Sequence, residues 1–392
     1  MSSSTAPRLT TLILLTALSI TSLNLYLPSM AEMAVDFEVD YALISASVGG
    51  FLAITAVLQL IIGPLSDRYG RRPVLLISMA IFTVASIGCT LTSDIYVFLG
   101  FRVLQGAVVA ASALPRAIIR DTSPVDQAAA KIAHVSMVMA LAPLLAPAVG
   151  GILGQEFGWR SNFALLAVFG AGLLVLCWAD LGETNQHKGG TISAQFRNYP
   201  TLLGSAEFWG YSLTITFSTG AFFAFISGAP MVAAVDFDLP PAELGIAIGI
   251  ITSGFMAGTF ISGRAAGRVA LPVMMVAGRL VGSIGLSVGI VAFVTGYGNM
   301  WLFFGSVITV GIGNGLTNPS GNAGALSVRP DMAGAAAGLS GSMMVAGGAV
   351  MSTLAGLVVT ETGGAIPLLL LMLFTTIISL ISALAIWLRN RK

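Results

Sequence analysis

The sequence predicts an all-α membrane protein whose twelve crossing helices form two pseudo-symmetric six-helix bundles, and three observations lead there. Charged residues make up only 9% of the 392 positions, against about 25% in soluble domains. Hydrophobic residues make up 56%, with a mean hydropathy of +0.92. The apolar residues fall in twelve runs near the ~20 residues a bilayer crossing needs, and the longest polar stretch divides them six and six. A soluble fold would lack surface charge here, and disorder is incompatible with so apolar a chain. A net charge of +1 leaves no footprint for nucleic acid. Cys89 and Cys177 stand apart in apolar runs and make neither a disulfide framework nor a metal motif.

The runs cover 9–30, 42–63, 74–92, 96–118, 130–155, 161–180, 207–234, 243–263, 271–295, 300–323, 335–359 and 365–388, numbered here as spans 1 to 12. They are far longer than the ~10-residue alternating strands of a membrane barrel. Span 1 exceeds a signal-peptide core and is followed by further spans, so it reads as part of the mature bundle. Lys and Arg set the orientation. Arg8, the Arg68–Arg72 loop, Arg120, Lys131, Lys188, Arg197, Arg264, Arg268, Arg329, Arg389, Arg391 and Lys392 fall on one side. The other side holds Glu32, Asp36, Glu38, Asp40, Asp94, Glu156, Asp236, Asp238, Glu243 and Glu361, with Arg160 as its basic residue. Both termini are therefore expected in the cytoplasm.

The expected organisation is a first bundle over 1–180, a cytoplasmic linker over 181–206 and a second bundle over 207–392. The halves carry weak internal echoes. Pro73-Val74 opens span 3 and Pro272-Val273 opens span 9. Ser136-Met137-Val138 in span 5 matches Ser342-Met343-Met344 in span 11, and Gly150 and Gly356 keep the same offset. A duplicated transporter places its substrate site near the midplane between the halves.

The most specific motif joins spans 2 and 3: Gly63-Pro64-Leu65-Ser66-Asp67-Arg68-Tyr69-Gly70-Arg71-Arg72-Pro73-Val74. Gly63 would allow close helix approach and Gly70 a tight turn. Pro73 suits a first helical turn, where a missing N–H costs nothing. Asp67 is one acid among Arg68, Arg71 and Arg72. It is expected to pair with Arg116 or Arg120 at the end of span 4, or to face orphan N–H groups at a helix start. Such a pairing could latch one conformation.

This loop resembles the signature loop of the major facilitator superfamily, and further motifs resemble its Bcr/CflA drug-resistance exporters. They are Asn24-Leu25-Tyr26-Leu27-Pro28 in span 1, Arg102 with Gln105-Gly106 in span 4, and Arg116 through Arg120-Asp121 at its end. Ala142-Pro143 through Ala146-Pro147 to Gly150-Gly151 in span 5, Gly158-Trp159-Arg160, and Phe225-Ile226-Ser227-Gly228-Ala229-Pro230 in span 7 continue the likeness. The resemblance implies the major facilitator fold. It also implies an exporter of drugs or related small molecules in a bacterial inner membrane, driven by the proton gradient.

One position departs from the resembled pattern, since Asn24 stands where those exporters carry an acid. No Asp or Glu lies deep in any run, so Arg102 is an intramembrane charge without an evident carboxylate partner. Such a charge lines a cavity or pairs, or else snorkels outward. At 1.5 Å per residue Arg102 and Asn24 both lie roughly 9 Å inside their outer ends, so Asn24 could accept a bond from the guanidinium but could not titrate. In span 5, Pro143 and Pro147 free backbone carbonyls. Gly254, Gly258 and Ser262 in span 8 form a small-residue stripe, and spans 5 and 8 are expected to meet across the halves. Asn314, Asn318 and Asn322 share one face of span 10, as cavity lining or interhelical glue. Phe222 and Phe225 would wall an apolar ligand site, or simply pack. His134 is a proton carrier or a structural histidine.

No phosphate-binding loop or enzyme motif is present. The expected function is secondary-active efflux of small amphiphilic molecules by a monomer, with protons as the coupling partner and no cofactor. The substrate cavity would hold Asn24, Tyr26, Arg102, Gln105, Phe222, Phe225, Asn314 and Asn318. A weakly coupled facilitator or metabolite exporter is the alternative, and Asn24 is its support. A non-transporting sensor would be expected to carry a sizeable polar domain.

Overall fold

The structure is a computed structural model and describes residues 7–185, 199–359 and 364–389. Lys188, Arg197, Glu361, Arg391 and Lys392 of the charge pattern lie outside the described residues. Twelve helices are long and apolar enough to cross a membrane: Leu9–Asp36, Tyr41–Tyr69, Arg71–Leu91, Ile95–Thr122, Ala130–Phe157, Arg160–Asp180, Ala206–Asp236, Pro241–Ala265, Leu271–Val294, Met300–Ser327, Pro330–Val358 and Ala365–Arg389. Each falls on an expected run. A short helix over Tyr199–Leu203, inside the expected linker, precedes span 7.

Spans 1 and 4 are each broken. Span 1 is helical over Leu9–Asn24, turns through a 3₁₀ segment Leu27–Ser29 around Pro28, and resumes over Met30–Asp36. Span 4 is helical over Ile95–Gln105, tightens over Gly106–Val108 and resumes over Val109–Thr122. Irregular backbone at membrane depth is tolerated where it is buried in protein or lines a cavity. Span 5, by contrast, belongs to one continuous helix Val125–Phe157 despite Pro143 and Pro147.

Packing repeats between the halves. Spans 1 and 5, 3 and 6, 2 and 4, and 3 and 4 pack together, as do 7 and 11, 9 and 12, 8 and 10, and 9 and 10. Adding six to each member of the first set yields the second. Two seams join the halves, span 5 on span 8 and span 2 on span 11. Both need small residues. A Cβ on Gly151 would lie 2.2 Å from the Pro241 carbonyl oxygen, and one on Gly245 would lie 2.2 Å from that of Pro147.

The expected meeting of spans 5 and 8 is thus present, but through a different stripe. Gly254 and Gly258 press on span 10, at the Ile308 and Ile312 carbonyls, whereas Gly245 and Gly249 meet span 5. From Gly249 to Gly254 the helix turns about 500° at 3.6 residues per turn, so the two stripes lie on faces ~140° apart. Gly63 also departs from expectation, since nothing lies within 4 Å of where its Cβ would be.

Candidate functional site

The site is built from three regions: a charged loop on the side of the termini, a polar cluster inside each half, and the seam between the halves on the opposite side.

In the loop, Gly70 ends span 2 at φ +105°, a conformation glycine adopts without penalty. The turn brings Asp67 and Arg71 together at 2.5 Å, while Arg71 Nε donates to Asp121 Oδ2 at 3.1 Å. Arg71 also donates to Ser66 Oγ. The expected partners were Arg116 and Arg120, and the structure corrects this. Asp67 precedes Arg71 by one helical turn, so its carboxylate meets the nearer guanidinium. Arg116 Nη2 instead contacts Met139 Sδ at 2.8 Å, Arg120 is exposed, and Arg68 lies over the Tyr69 ring. Arg72 donates to the Trp178 carbonyl at 2.8 Å. Glu183, at the start of the linker, accepts the Arg71 backbone N–H on Oε1 at 2.9 Å. Asn185 donates to the Asp67 carbonyl at 2.8 Å. The start of the linker is therefore pinned to the loop, and Glu183 satisfies an orphan donor of span 3.

In the first half, the breaks in spans 1 and 4 enclose Arg102, which is fully buried and so does not snorkel. Its Nη2 donates to the Tyr26 hydroxyl at 3.1 Å and its Nη1 to Gln105 Oε1 at 2.5 Å. Tyr26 in turn shares a bond with Ser47, and Gln105 Nε2 donates to Ser86. The guanidinium stacks 4.4 Å from the Tyr26 ring centre and 4.7 Å from that of Phe51, a cation–π cage. Asn24 is buried nearby, but its Nδ2 donates to the Ile20 carbonyl at 2.8 Å. The expected Asn24–Arg102 bond is replaced by Tyr26 and Gln105. The helix turn at Asn24 offers the amide a local acceptor.

In the second half, Asn314 and Asn318 converge with span 7. Ser218 Oγ lies 2.8 Å from Asn314 Oδ1 and 3.0 Å from Asn318 Oδ1, and Asn318 Nδ2 donates to Thr219. Behind them stands Arg279 of span 9, fully buried. It donates through Nη2 to Asn314 Oδ1 at 2.8 Å and through Nε to Thr317 Oγ1 at 3.0 Å. The sequence reading missed Arg279, although the scan that found Arg102 applies equally to an arginine inside the run 271–295. Asn322 is exposed. Phe225 is fully buried against Phe303 and Phe304, while Phe222 is only partly buried beside Phe223. The expected common wall is split, because Phe225 packs into the bundle core against Phe303 and Phe304 while Phe222, three residues away, stays at its edge. His134 is exposed and bonds the Ala130 carbonyl in its own helix.

On the side away from the termini, Tyr41 donates to the Ser227 carbonyl, Ser45 donates to that of Ser352 at 3.0 Å, and the Ser227 and Ser352 hydroxyls pair. Gly150 and Gly151 divide the work of span 5. The first presses on Leu25 of span 1 and the second on Pro241 of span 8. Beyond this seal lies a cavity of about 1030 Å³ bordered by Val35, Glu38, Asp40, Tyr41, Met231 and Val235. Toward the termini the seam reaches mid-helix, where Ser342 donates to the Ala56 carbonyl and Gly341 lies against Gln59.

Twelve crossing helices in two repeated halves, each with a buried polar cluster, define a polytopic helical membrane protein. Comparison with known proteins agrees. Residues 12–339 match the Major Facilitator Superfamily. A bicyclomycin resistance protein homolog of Haemophilus influenzae is 28% identical over 94% of this chain and 93% of its own. Multidrug resistance protein D of Escherichia coli is 27% identical over 92% and 91%. An uncharacterized MFS-type transporter of Bacillus subtilis is 33% identical over 63% of each chain, so this sequence spans under two thirds of that relative. Among solved structures, an inward-facing bacterial homolog of the lysosomal transporter Spinster superposes with a TM-score of 0.79 at 18% identity, covering 98% of this chain and 96% of its own. That likeness speaks for the fold alone. The chain belongs to the Major Facilitator Superfamily.

Proposed function

We propose that this protein is a secondary-active exporter of small amphiphilic molecules, working as a monomer by alternating access between its two six-helix halves. The observation that carries the reading is the seam. Backbone-to-backbone glycine contacts join the halves on the side away from the termini, and a buried polar cluster lies in each half. Rocking about such a seam alternates access to a site near the midplane. The names of the relatives support drugs as the substrate class. The charge pattern supports a bacterial inner-membrane orientation with cytoplasmic termini. Asp67, Arg71, Asp121 and Glu183 then form the cytoplasmic latch, which must rearrange when that side closes.

Coupling to protons is the finer part of this proposal. Acids available to carry a proton sit near the ends of spans, such as Glu32, Asp36, Asp67 and Asp121. A second reading, export without tight proton coupling, is favoured by one observation: none of the described acidic side chains is buried. The test is accumulation of chloramphenicol, a neutral amphiphile, in cells with and without the protein. Lower accumulation is expected, and equal accumulation would refute export of that class. Repeating the measurement with the pH gradient collapsed separates the two coupling readings.

A further inference from the structure

We infer that the exporter selects anionic over cationic amphiphiles, and that the membrane potential acting on the substrate's own charge drives their exit. This rests on the export reading above and names the substrate class of that same site.

The argument begins with charge balance. The described residues contain two fully buried charged side chains, Arg102 in the first half and Arg279 in the second. The four ion pairs among the described residues are Arg8–Asp180, Arg71–Asp67, Arg71–Asp121 and Arg160–Asp36. None reaches either buried arginine. Arginine does not give up its proton in a protein, so each half holds an uncompensated positive charge. Each guanidinium also keeps a buried nitrogen without a hydrogen-bond partner, Nε of Arg102 and Nη1 of Arg279. Burying a charge is costly unless something pairs with it. Here the cations are kept by neutral groups: tyrosine, glutamine, asparagine and threonine oxygens and the Ser22 carbonyl, together with aromatic faces.

Geometry then shows where that charge is felt. Arg279 belongs to span 9 yet reaches across Gly313, where a Cβ would sit 3.1 Å from its Nη2, to bond Asn314 on span 10. Asn314 continues the chain to Ser218 and Asn318. With its carbonyl oxygen shared between the guanidinium and the Ser218 hydroxyl, the Asn314 amide has only its N–H groups left to offer. A donor backed by a buried cation attracts an acceptor or an anion and opposes a cation, at an interior dielectric that strengthens both effects. In the first half Arg102 acts the same way through Gln105 and Tyr26. A cationic drug entering between the halves would meet two positive fields and, among the described residues, no buried carboxylate.

The energetics of export follow from the same charge. In a cell negative inside, an anion leaving the cytoplasm moves down the potential, at about 2.3 kcal/mol per charge per 100 mV. Export of a monovalent anion therefore needs no titrating group in the interior, which accords with Asn24 in span 1.

The test uses the full chain in inside-out vesicles and two bicyclic aromatics of similar size and fixed opposite charge, 2-naphthalenesulfonate and N-methylquinolinium. Chloramphenicol serves as the neutral probe of export itself. With no pH gradient and a valinomycin-set potential of 100 mV, lumen positive, the sulfonate should accumulate toward about 50-fold. N-methylquinolinium flux, measured with no potential imposed, should be at least tenfold below that of the sulfonate. Arg279→Gln should erase most of this preference and Arg279→Lys should keep it. Should Arg279→Gln fail to fold, Asn314→Asp sets an acid beside Arg279 and should lower anion flux relative to cation flux. Cation flux equal to or above anion flux in the unmodified protein would overturn the inference while leaving export intact. Absence of flux for all three probes would overturn export as well.

Discussion

The seam between spans 5 and 8 offers a direct test of alternating access. Substituting Gly151 by Ala places a Cβ 2.2 Å from the Pro241 carbonyl oxygen, 2.8 Å from its carbon and 3.0 Å from Ala242 Cα. All three are backbone atoms, which cannot rotate away, so the helices must part by roughly 1 Å to reach ordinary contact. Overpacking of this kind costs about 1–3 kcal/mol. The contact exists only while the seam is closed, so the cost falls on that state and shifts the conformational balance about 5- to 150-fold toward seam-open. Gly245→Ala, facing the Pro147 oxygen at 2.2 Å, should act in the same direction. Gly150→Ala is the contrasting case. Its Cβ would meet Leu25 within the first half, 1.5 Å from the carbonyl oxygen, so it should lower thermal stability without favouring one conformation. Spin labels at positions 35 and 235, exposed and bordering the 1030 Å³ cavity, report the opening by pulsed electron resonance, with the buried Cys89 and Cys177 replaced by Ala. A Gly151→Ala protein that is folded and shows the wild-type distance distribution would refute the seam as the moving contact.

Three further outcomes are expected. Asp67→Asn should leave the protein in the membrane but cut flux severely, and Asp67→Asn with Asp121→Asn should be non-additive because both acids share Arg71. Asp67 is 45% exposed, so the effect on thermal stability should stay within about 1 kcal/mol; a large melting shift would mean the pair is structural. Tyr26→Phe removes one acceptor from buried Arg102 and should destabilise by about 1–3 kcal/mol while keeping the aromatic face, whereas Arg102→Ala should abolish transport; normal flux in Arg102→Ala would remove that cluster from the mechanism. Asn24→Asp introduces a titratable group where none exists, so efflux should gain dependence on a pH gradient, and vesicle flux that ignores the gradient in this variant would show that coupling cannot be installed at position 24.

Much of the architecture was legible because a bilayer imposes length and charge rules on the chain itself. Twelve runs, their division six and six and the placement of Lys and Arg require only local counting, and every run proved helical, spans 1 and 4 with a 3₁₀ break. Gly70 was readable for the same reason, since a turn at positive φ is a property of its own backbone. The partners of the charged groups were another matter. Asp67 chose Arg71 over Arg116 and Arg120, and Glu183 came from the linker to cap span 3, because side-chain reach depends on where helix ends meet in space. The position of Arg279 in a run was visible in the sequence. Its reach past Gly313 to Asn314 depends on how closely spans 9 and 10 approach, and no spacing along the chain encodes that. Span 8 carries two glycine stripes with the same four-residue spacing. Only packing decided that Gly245 and Gly249 face the other half while Gly254 and Gly258 face span 10. Composition and periodicity specify what each helix can bury; the mutual rotation of the helices decides which buried groups meet.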